Sequence, residues 1–250
     1  MSADLAGQVV LITGGGRGLG RSAACHLARC GAIIGVSDID GRSGDETAAM
    51  IRDAGGIAHS FAGDMSARKT FLEVADALAW AAGRIDAVVN NASVLHYEKV
   101  EDVREEMFET MVGAGLKASV WGAQALLAHF DPDRGGAIVN FASPVAYKGF
   151  PNTSIYSAVK GSLVALTRTL AVELGPRKVR VNAVAPGSVP TPGAVKYVDR
   201  AEYERRAQTI PLRRLGSESD NDNAVAFLLS REASFITGTI LHVDGGIVAA

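Results

Sequence analysis

Three residues have types and spacing that could move a proton. The apolar run AIVNFA ends at Ser143, Tyr156 follows thirteen residues on, and Lys160 lies four beyond it in Tyr156-Ser-Ala-Val-Lys160. On a helix, positions i and i+4 share a face, so Tyr156 and Lys160 would stand side by side. A phenol with its ordinary pKa near ~10 exchanges protons poorly at neutral pH. A neighbouring ammonium would stabilise the phenolate and lower that value. Ser143 could then hydrogen-bond a carbonyl or alcohol oxygen while Tyr156 acts as general acid/base. A Tyr-x-x-x-Lys pair alone also decorates helix surfaces; the serine at a strand end is what adds weight.

These residues need a frame. The runs QVVLIT, AIIGVS, IAHSFA, IDAVVN, AIVNFA, VRVNAV and TILHV are mostly rich in Val and Ile and are separated by helix-length segments. That alternation predicts βαβ units and a mostly parallel sheet of about seven strands. Right-handed crossovers then put helices on both faces, a doubly wound α/β fold of the Rossmann kind. No linker, charge block or repeat divides the chain, so residues 1–250 read as one domain. The segment from about 186 to 218 lacks regularity, and in a compact domain such a segment is usually a functional loop. We therefore expect a substrate lid over about 188–215.

The first strand runs into Thr13-Gly14-Gly15-Gly16-Arg17-Gly18-Leu19-Gly20, with a helix expected from about Arg21. Glycines there permit a tight turn and close approach to a pyrophosphate, and the helix N-terminus favours an anion. Strand before and helix after are the context that a dinucleotide site requires. No Lys-Ser/Thr follows the glycines, which disfavours a Walker-type loop. Asp38 ends the second strand, where a carboxylate can accept from ribose hydroxyls and repel a 2′-phosphate. This favours NAD over NADP, although Arg17 could meet a 2′-phosphate. Ile39, the next residue, is not basic. Asp38 could instead cap the following helix. A bound, positively charged nicotinamide would further lower the Tyr156 pKa.

With these pieces in order, the chain resembles the short-chain dehydrogenase/reductase family along essentially its whole length. The matching motifs are TGGGRGLG, Asp38, Asp64-Met65, NNA at 90–92, Ser143/Tyr156/Lys160, PGSVPT at 186–191 and VDGG near the end. The resemblance implies that Gly14, Gly16, Arg17, Gly18, Leu19 and Gly20 hold the pyrophosphate, and that Asp38 with Ile39 flanks the adenosine ribose. It implies that Asp64 and Met65 flank the adenine and that Asn90 and Ala92 line the cofactor floor. Lys160 would also hold the nicotinamide ribose, with Pro186, Gly187, Val189 and Thr191 near the carboxamide. Val145, Tyr147, Phe150 and Ser188 are expected to line the substrate pocket with Ser143 and Tyr156. The substrate would be a mainly apolar secondary alcohol or ketone, and the assembly a homodimer or homotetramer. The helix VKGSLVALTRTLAVEL would take part in the interface, although core burial explains its leucines equally well.

Two positions depart from the family pattern. Ser93 stands where glycine is usual. Gly115 stands where the family has an asparagine that is thought to hold, through its backbone, a water in a proton relay from the lysine. Gly113 and Gly115 also interrupt a helical apolar pattern in ETMVGAGLKASVWGAQALLAHF, each costing a helix roughly 1 kcal/mol against alanine. We expect a helix interrupted near Gly113–Gly115 with the relay retained or altered. A rival reading follows: a cofactor-binding protein with little turnover, acting as a sensor or partner subunit. Another chemistry on the same scaffold is a third.

Composition narrows the rest. Of 250 residues, 48% are hydrophobic and 21% charged, with a formal charge of −2, which gives no reason to expect nucleic acid or an anionic membrane as partner. No apolar run approaches ~18 residues, so no membrane span is expected. The N-terminus reads as a strand leading to a glycine turn, not as a signal peptide. Cys25 and Cys30 lack redox or metal spacing, so no metal site is expected, and the setting reads as reducing and cytoplasmic. His96, just after NNASVL, could reach the site, but a loop-surface position is the reading favoured for it. Tyr197, Tyr203, Arg205 and Arg206 fall in the expected lid, where a solvated helix face explains them as well.

Overall fold

The computed structural model describes residues 3–250. Seven strands form one sheet, and every neighbouring pair is parallel. The strands are β1 (Val9–Thr13), β2 (Ile33–Asp38), β3 (Ile57–Ala62), β4 (Ala87–Asn90), β5 (Gly136–Phe141), β6 (Val179–Pro186) and β7 (Ile240–Val243), in the order β3-β2-β1-β4-β5-β6-β7. The helices are α1 (Gly18–Arg29), α2 (Gly41–Asp53), α3 (Arg68–Ala82), α4 (Glu105–Val112), α5 (Ala118–His129), α6 (Ser154–Leu174), α7 (Arg200–Thr209) and α8 (Glu218–Leu229). The expected seven strands, parallel arrangement and doubly wound class are all present.

Strand alternation builds two cores. Val10 and Ile12 of β1 pack to one side with Ala24 and Leu27 of α1, Ile51 of α2 and Val225 of α8. Val9 and Leu11 pack to the other with Phe71 and Leu78 of α3, Leu126 of α5 and Leu174 of α6. Both faces of the central strands are dry, which is why their sequences are continuous apolar runs rather than alternating ones.

Two boundaries differ from the sequence expectation. α1 begins at Gly18, three residues early, because its first turn is made of the glycine segment itself. The expected irregular segment contains α7, whose N-cap Asp199 accepts from the Glu202 N–H at 2.8 Å. Its mixed, strongly polar composition hides the helical period.

The strand order reverses between β1 and β4. Chains leaving those two carboxyl ends diverge to opposite sides and leave a crevice, the usual ligand position in an open α/β sheet.

Candidate active site

A cleft of about 490 Å³ opens at that crevice. Its floor begins with the turn after β1. Gly14 has φ +62°, and a β-carbon there would stand 2.9 Å from the Ala92 Cα. A β-carbon on Gly20 would overlap the Gly14 carbonyl. Side chains are thus excluded where the turn meets α1, whose first N–H groups face the cleft without a side-chain cap. Asn91 locks the turn: its Nδ2 donates to the carbonyls of Thr13 and Gly14, both at 3.0 Å. The Thr13 hydroxyl accepts from the N–H groups of Asn91 (3.2 Å) and Ala92 (3.0 Å).

Asp38 is buried at the end of β2. Its Oδ2 accepts from the Gly16 N–H at 2.8 Å and its Oδ1 from the Asp40 N–H at 3.0 Å. It does not cap α2; Asp40 does, accepting from the Ser43 N–H. Ile39 is 74% exposed at the cleft edge, beside Asp64 and Met65. Arg17 is exposed on the same wall.

At the other end of the cleft, Ser143 lies just past β5, and Tyr156 and Lys160 stand one turn apart on α6. Lys160 Nζ donates to the Phe141 carbonyl at 2.7 Å and lies 5.6 Å from the Tyr156 ring centroid. Burial pushes the Lys160 pKa down to about 8. Burial also pushes the Tyr156 phenol well above its ordinary value; Tyr97 adds to this and Ser143 works the other way. The lysine therefore does not lower the phenol pKa in the protein alone. Its ammonium is held on the Phe141 carbonyl, and desolvation of the phenolate outweighs everything else. Tyr97 sets its ring edge-on to Tyr156 at 5.8 Å.

Pro186, Gly187, Ser188, Val189 and Thr191 follow β6 along the cleft wall, and Tyr203 and Arg206 of α7 reach it from the segment expected to be a lid.

The family model described as enoyl-(acyl carrier protein) reductase matches residues 14–248. A cyclopentanol dehydrogenase of Comamonas sp. is 35% identical over 244 residues, covering 97% of each chain. The chain belongs to the short-chain dehydrogenase/reductase family. A 2-(S)-hydroxypropyl-CoM dehydrogenase of Xanthobacter autotrophicus is 33% identical over the full length of both chains. A crystal structure of 3-ketoacyl-(acyl-carrier-protein) reductase from Brucella melitensis complexed with NADH superposes with a TM-score of 0.91 at 34% identity, covering 98% of this chain and 100% of that one. The chain is thus an oxidoreductase of this family.

Asn90, Val145, Tyr147 and Phe150, all expected at the site, lie elsewhere. The Asn90 side chain points away from the cleft, and its Nδ2 donates to Asn140 Oδ1 at 2.8 Å. Asn140 in turn donates to the Thr167 hydroxyl at 2.9 Å. Asn90 is the last residue of β4 and pairs in register with Asn140 of β5, so it supports the floor from beneath. Its neighbour Asn91 is the one that lines the cleft. Val145 and Phe150 line a second depression with Glu98, Lys99 and Thr153, because the 3₁₀ turn at Pro144–Ala146 carries the chain away from the serine. Tyr147, from the same turn, packs edge-on to His242 at 4.7 Å. His96 is not in the cleft wall; it pairs with Glu98 at 3.2 Å and sets its ring against Tyr197. The other predicted residues line the cleft: Gly14, Arg17, Gly18, Leu19, Gly20, Asp38, Ile39, Asp64, Met65, Ala92, Ser143, Tyr156, Lys160 and the PGSV-x-T positions. Gly16 sits behind them, on Asp38.

The interrupted helix is present. α4 ends at Val112, Gly113–Lys117 wind as a π-helical turn, and α5 resumes at Ala118, whose N–H reaches back to the Gly113 carbonyl. Such bulges are frequent at functional sites. The Gly115 carbonyl accepts from the Ser119 hydroxyl at 2.8 Å. Gly113 has helical angles, so the glycines are not required by backbone conformation there. Packing accounts for Gly115, where a β-carbon would overlap Val159 Cγ1, whereas one on Gly113 would make a tight 3.1 Å contact with Ser66 Cβ. Ser93, the second departure, lines the cleft without adopting a positive φ. Tyr97 had no signal in the sequence because it lies on an irregular segment with no motif of its own, and Tyr203 and Arg206, placed in the expected lid, could not be told there from a solvated helix face.

Proposed function

We propose that this protein interconverts a secondary alcohol and a ketone with NAD(H), using Tyr156 as general acid/base. The observation that carries the proposal is the shared cleft: the glycine turn with Asp38 forms one end, and Ser143, Tyr156 and Lys160 the other. The residues fit a dinucleotide. Side chains are excluded where a pyrophosphate would lie, α1 offers free N–H groups, and Asp38 offers a carboxylate at the ribose position. Asp64 and Met65 would flank the adenine, while Ala92, Pro186, Gly187, Val189 and Thr191 would border the nicotinamide end. When bound, the nicotinamide supplies or accepts the hydride.

The side chains then divide the remaining work. Ser143 binds and orients the substrate oxygen. Tyr156 gives that oxygen its proton in reduction and takes it in oxidation. Lys160, its pKa lowered to about 8, can release and regain a proton close to neutral pH and places positive charge beside the phenol. Because burial raises the Tyr156 pKa, the protein alone keeps the phenol protonated, which suits it to donate first. The π-turn keeps the backbone irregularity at Gly115, which favours turnover over a silent binding role.

Asp38 favours NAD. Its carboxylate is fixed by two N–H groups, so a 2′-phosphate could not displace it without repulsion. The segment 188–215 acts as the lid. The free cysteines fit a cytoplasmic setting. Val172, 80% exposed on α6, fits a homodimer or homotetramer built on that helix.

The test is a panel of secondary alcohols and ketones with each of NAD(H) and NADP(H), read by nicotinamide absorbance. Turnover with NAD(H) supports the proposal. Tight NAD binding with silence across a broad panel would overturn it in favour of a binding role.

A further inference from the structure

Three cationic groups line the cleft among the described residues: Arg17 at the glycine turn, Lys160 at the proton-transfer set, and Arg206 on α7. The first two have roles at the cofactor and the phenol. Arg206 has none in that chemistry. Its Nε pairs with Glu202 Oε1 at 2.7 Å and one terminal nitrogen donates to the Ser188 hydroxyl at 3.4 Å. Glu202 is shared with Arg205, so one carboxylate serves two guanidiniums and the trio keeps a net positive charge. Of the two arginines, Arg206 is the one in the cleft wall.

Beside it stands an unpartnered polar group. Tyr203, one turn back on α7, also lines the cleft and is only 7% exposed, yet its buried hydroxyl has no hydrogen-bond partner among the described residues. A buried donor is normally satisfied. The Ser188 hydroxyl completes a group of donors on this wall. Tyr97, Val94, Leu95 and Val198 form the surface around them.

We propose that Arg206, with Tyr203 and Ser188, binds an anionic group on the substrate, so that the protein acts on a keto acid or hydroxy acid, carboxylate or sulfonate, with an apolar body. This rests on the alcohol–ketone reading above. Arg206 matches a planar carboxylate with two donors, whereas a solvated helix face would need neither its place in the cleft nor the buried phenol beside it. Because Arg206 sits on the lid segment and already reaches Ser188, the anion would also tie α7 to the loop after β6.

The test compares two acids with their methyl esters: 5-oxohexanoate and 4-acetylbenzoate. Wild type, Arg206→Met and Arg206→Lys are measured for kcat and KM. The expected result is that wild type prefers at least one acid over its ester, and that Arg206→Met lowers this preference about tenfold or more, mostly through KM. Arg206→Lys should recover part of it, and added salt should weaken it in wild type. Preference for every ester, or an acid preference that Arg206→Met leaves intact, would overturn the proposal. Calorimetric binding of 4-acetylbenzoate and its ester to the NAD-loaded protein separates this from failure of the alcohol–ketone reading. If no ketone turns over, acid-selective binding that Arg206→Met removes still supports the anion site, and equal or absent binding of the acid overturns it.

Discussion

A β-carbon on Gly115 would collide with Cγ1 of Val159. Val159 precedes Lys160 on α6, so the glycine that interrupts one helix sets how closely it approaches the lysine's own helix. Val159 is buried and β-branched, with one strongly preferred rotamer in a helix, and gives way poorly. Gly115→Ala should therefore destabilise the protein by about 1–3 kcal/mol. Gly115→Asn, which restores the family residue, should lower turnover rather than raise it. Val159→Ala should recover part of both losses. Urea unfolding and steady-state rates on the three single variants, and on Val159→Ala combined with each Gly115 substitution, check this. A large gain in turnover for Gly115→Asn would mean instead that the proton relay is crippled by the glycine.

Cofactor choice should follow Asp38. Its carboxylate accepts from Gly16 and Asp40 N–H groups, which hold the negative charge at the end of β2. Asp38→Ser should weaken NAD binding and strengthen NADP binding, with the ratio of the two dissociation constants moving about tenfold or more, because a fixed like charge is removed and Arg17 remains. Titration of each dinucleotide against the two proteins reads the ratio directly. An unchanged ratio would place the discrimination elsewhere.

Stability should depend on pH through Asp222. It is buried between α1 and α8, accepts from the Ser22 hydroxyl at 2.6 Å, and has its second oxygen unpartnered. Burial is the main cause that raises its pKa from 3.8 to about 6. Between those values the native state holds a proton that the unfolded chain has lost, so stability falls as pH rises through the window and the full penalty is present above it. After allowance for solvent screening the penalty is about 1–2 kcal/mol. Asp222→Asn should be more stable than wild type at pH 7.5 and lose that advantage below about pH 4, as chemical unfolding at the two pH values would show. A variant less stable than wild type at pH 7.5 would contradict this.

Much of this was legible in the residues. Short Val/Ile runs between helix-length segments revealed the parallel sheet, because strands buried on both faces leave that pattern. The glycine turn, Asp38 and the Ser143–Tyr156–Lys160 spacing were readable because each needs a fixed residue type at a fixed distance along the chain. Asn90 and Asn91 were not separable by motif. Which of them faces the cleft depends on where β4 stops alternating, and the buried partner of Asn90 is Asn140, fifty residues away. Val145 and Phe150 depended on the direction of a 3₁₀ turn, which local spacing does not encode. For Tyr156, adjacency to Lys160 is visible in sequence, whereas the burial that raises its pKa in the protein alone is not. Arg206 looked like one of several charges on a polar helix; only the packing of α7 over the cleft distinguishes it from Arg205.

The central claim is that Tyr156 moves the proton, and Tyr156→Phe tests it most directly. That substitution removes one oxygen from a half-buried ring and leaves the glycine turn, Asp38 and Lys160 in place. On a secondary alcohol turned over by the wild type, kcat should fall by about 10²-fold or more. NADH affinity, titrated on the same samples, should change by no more than a few-fold. Turnover that survives at the wild-type rate, with NADH still bound, would contradict the assignment.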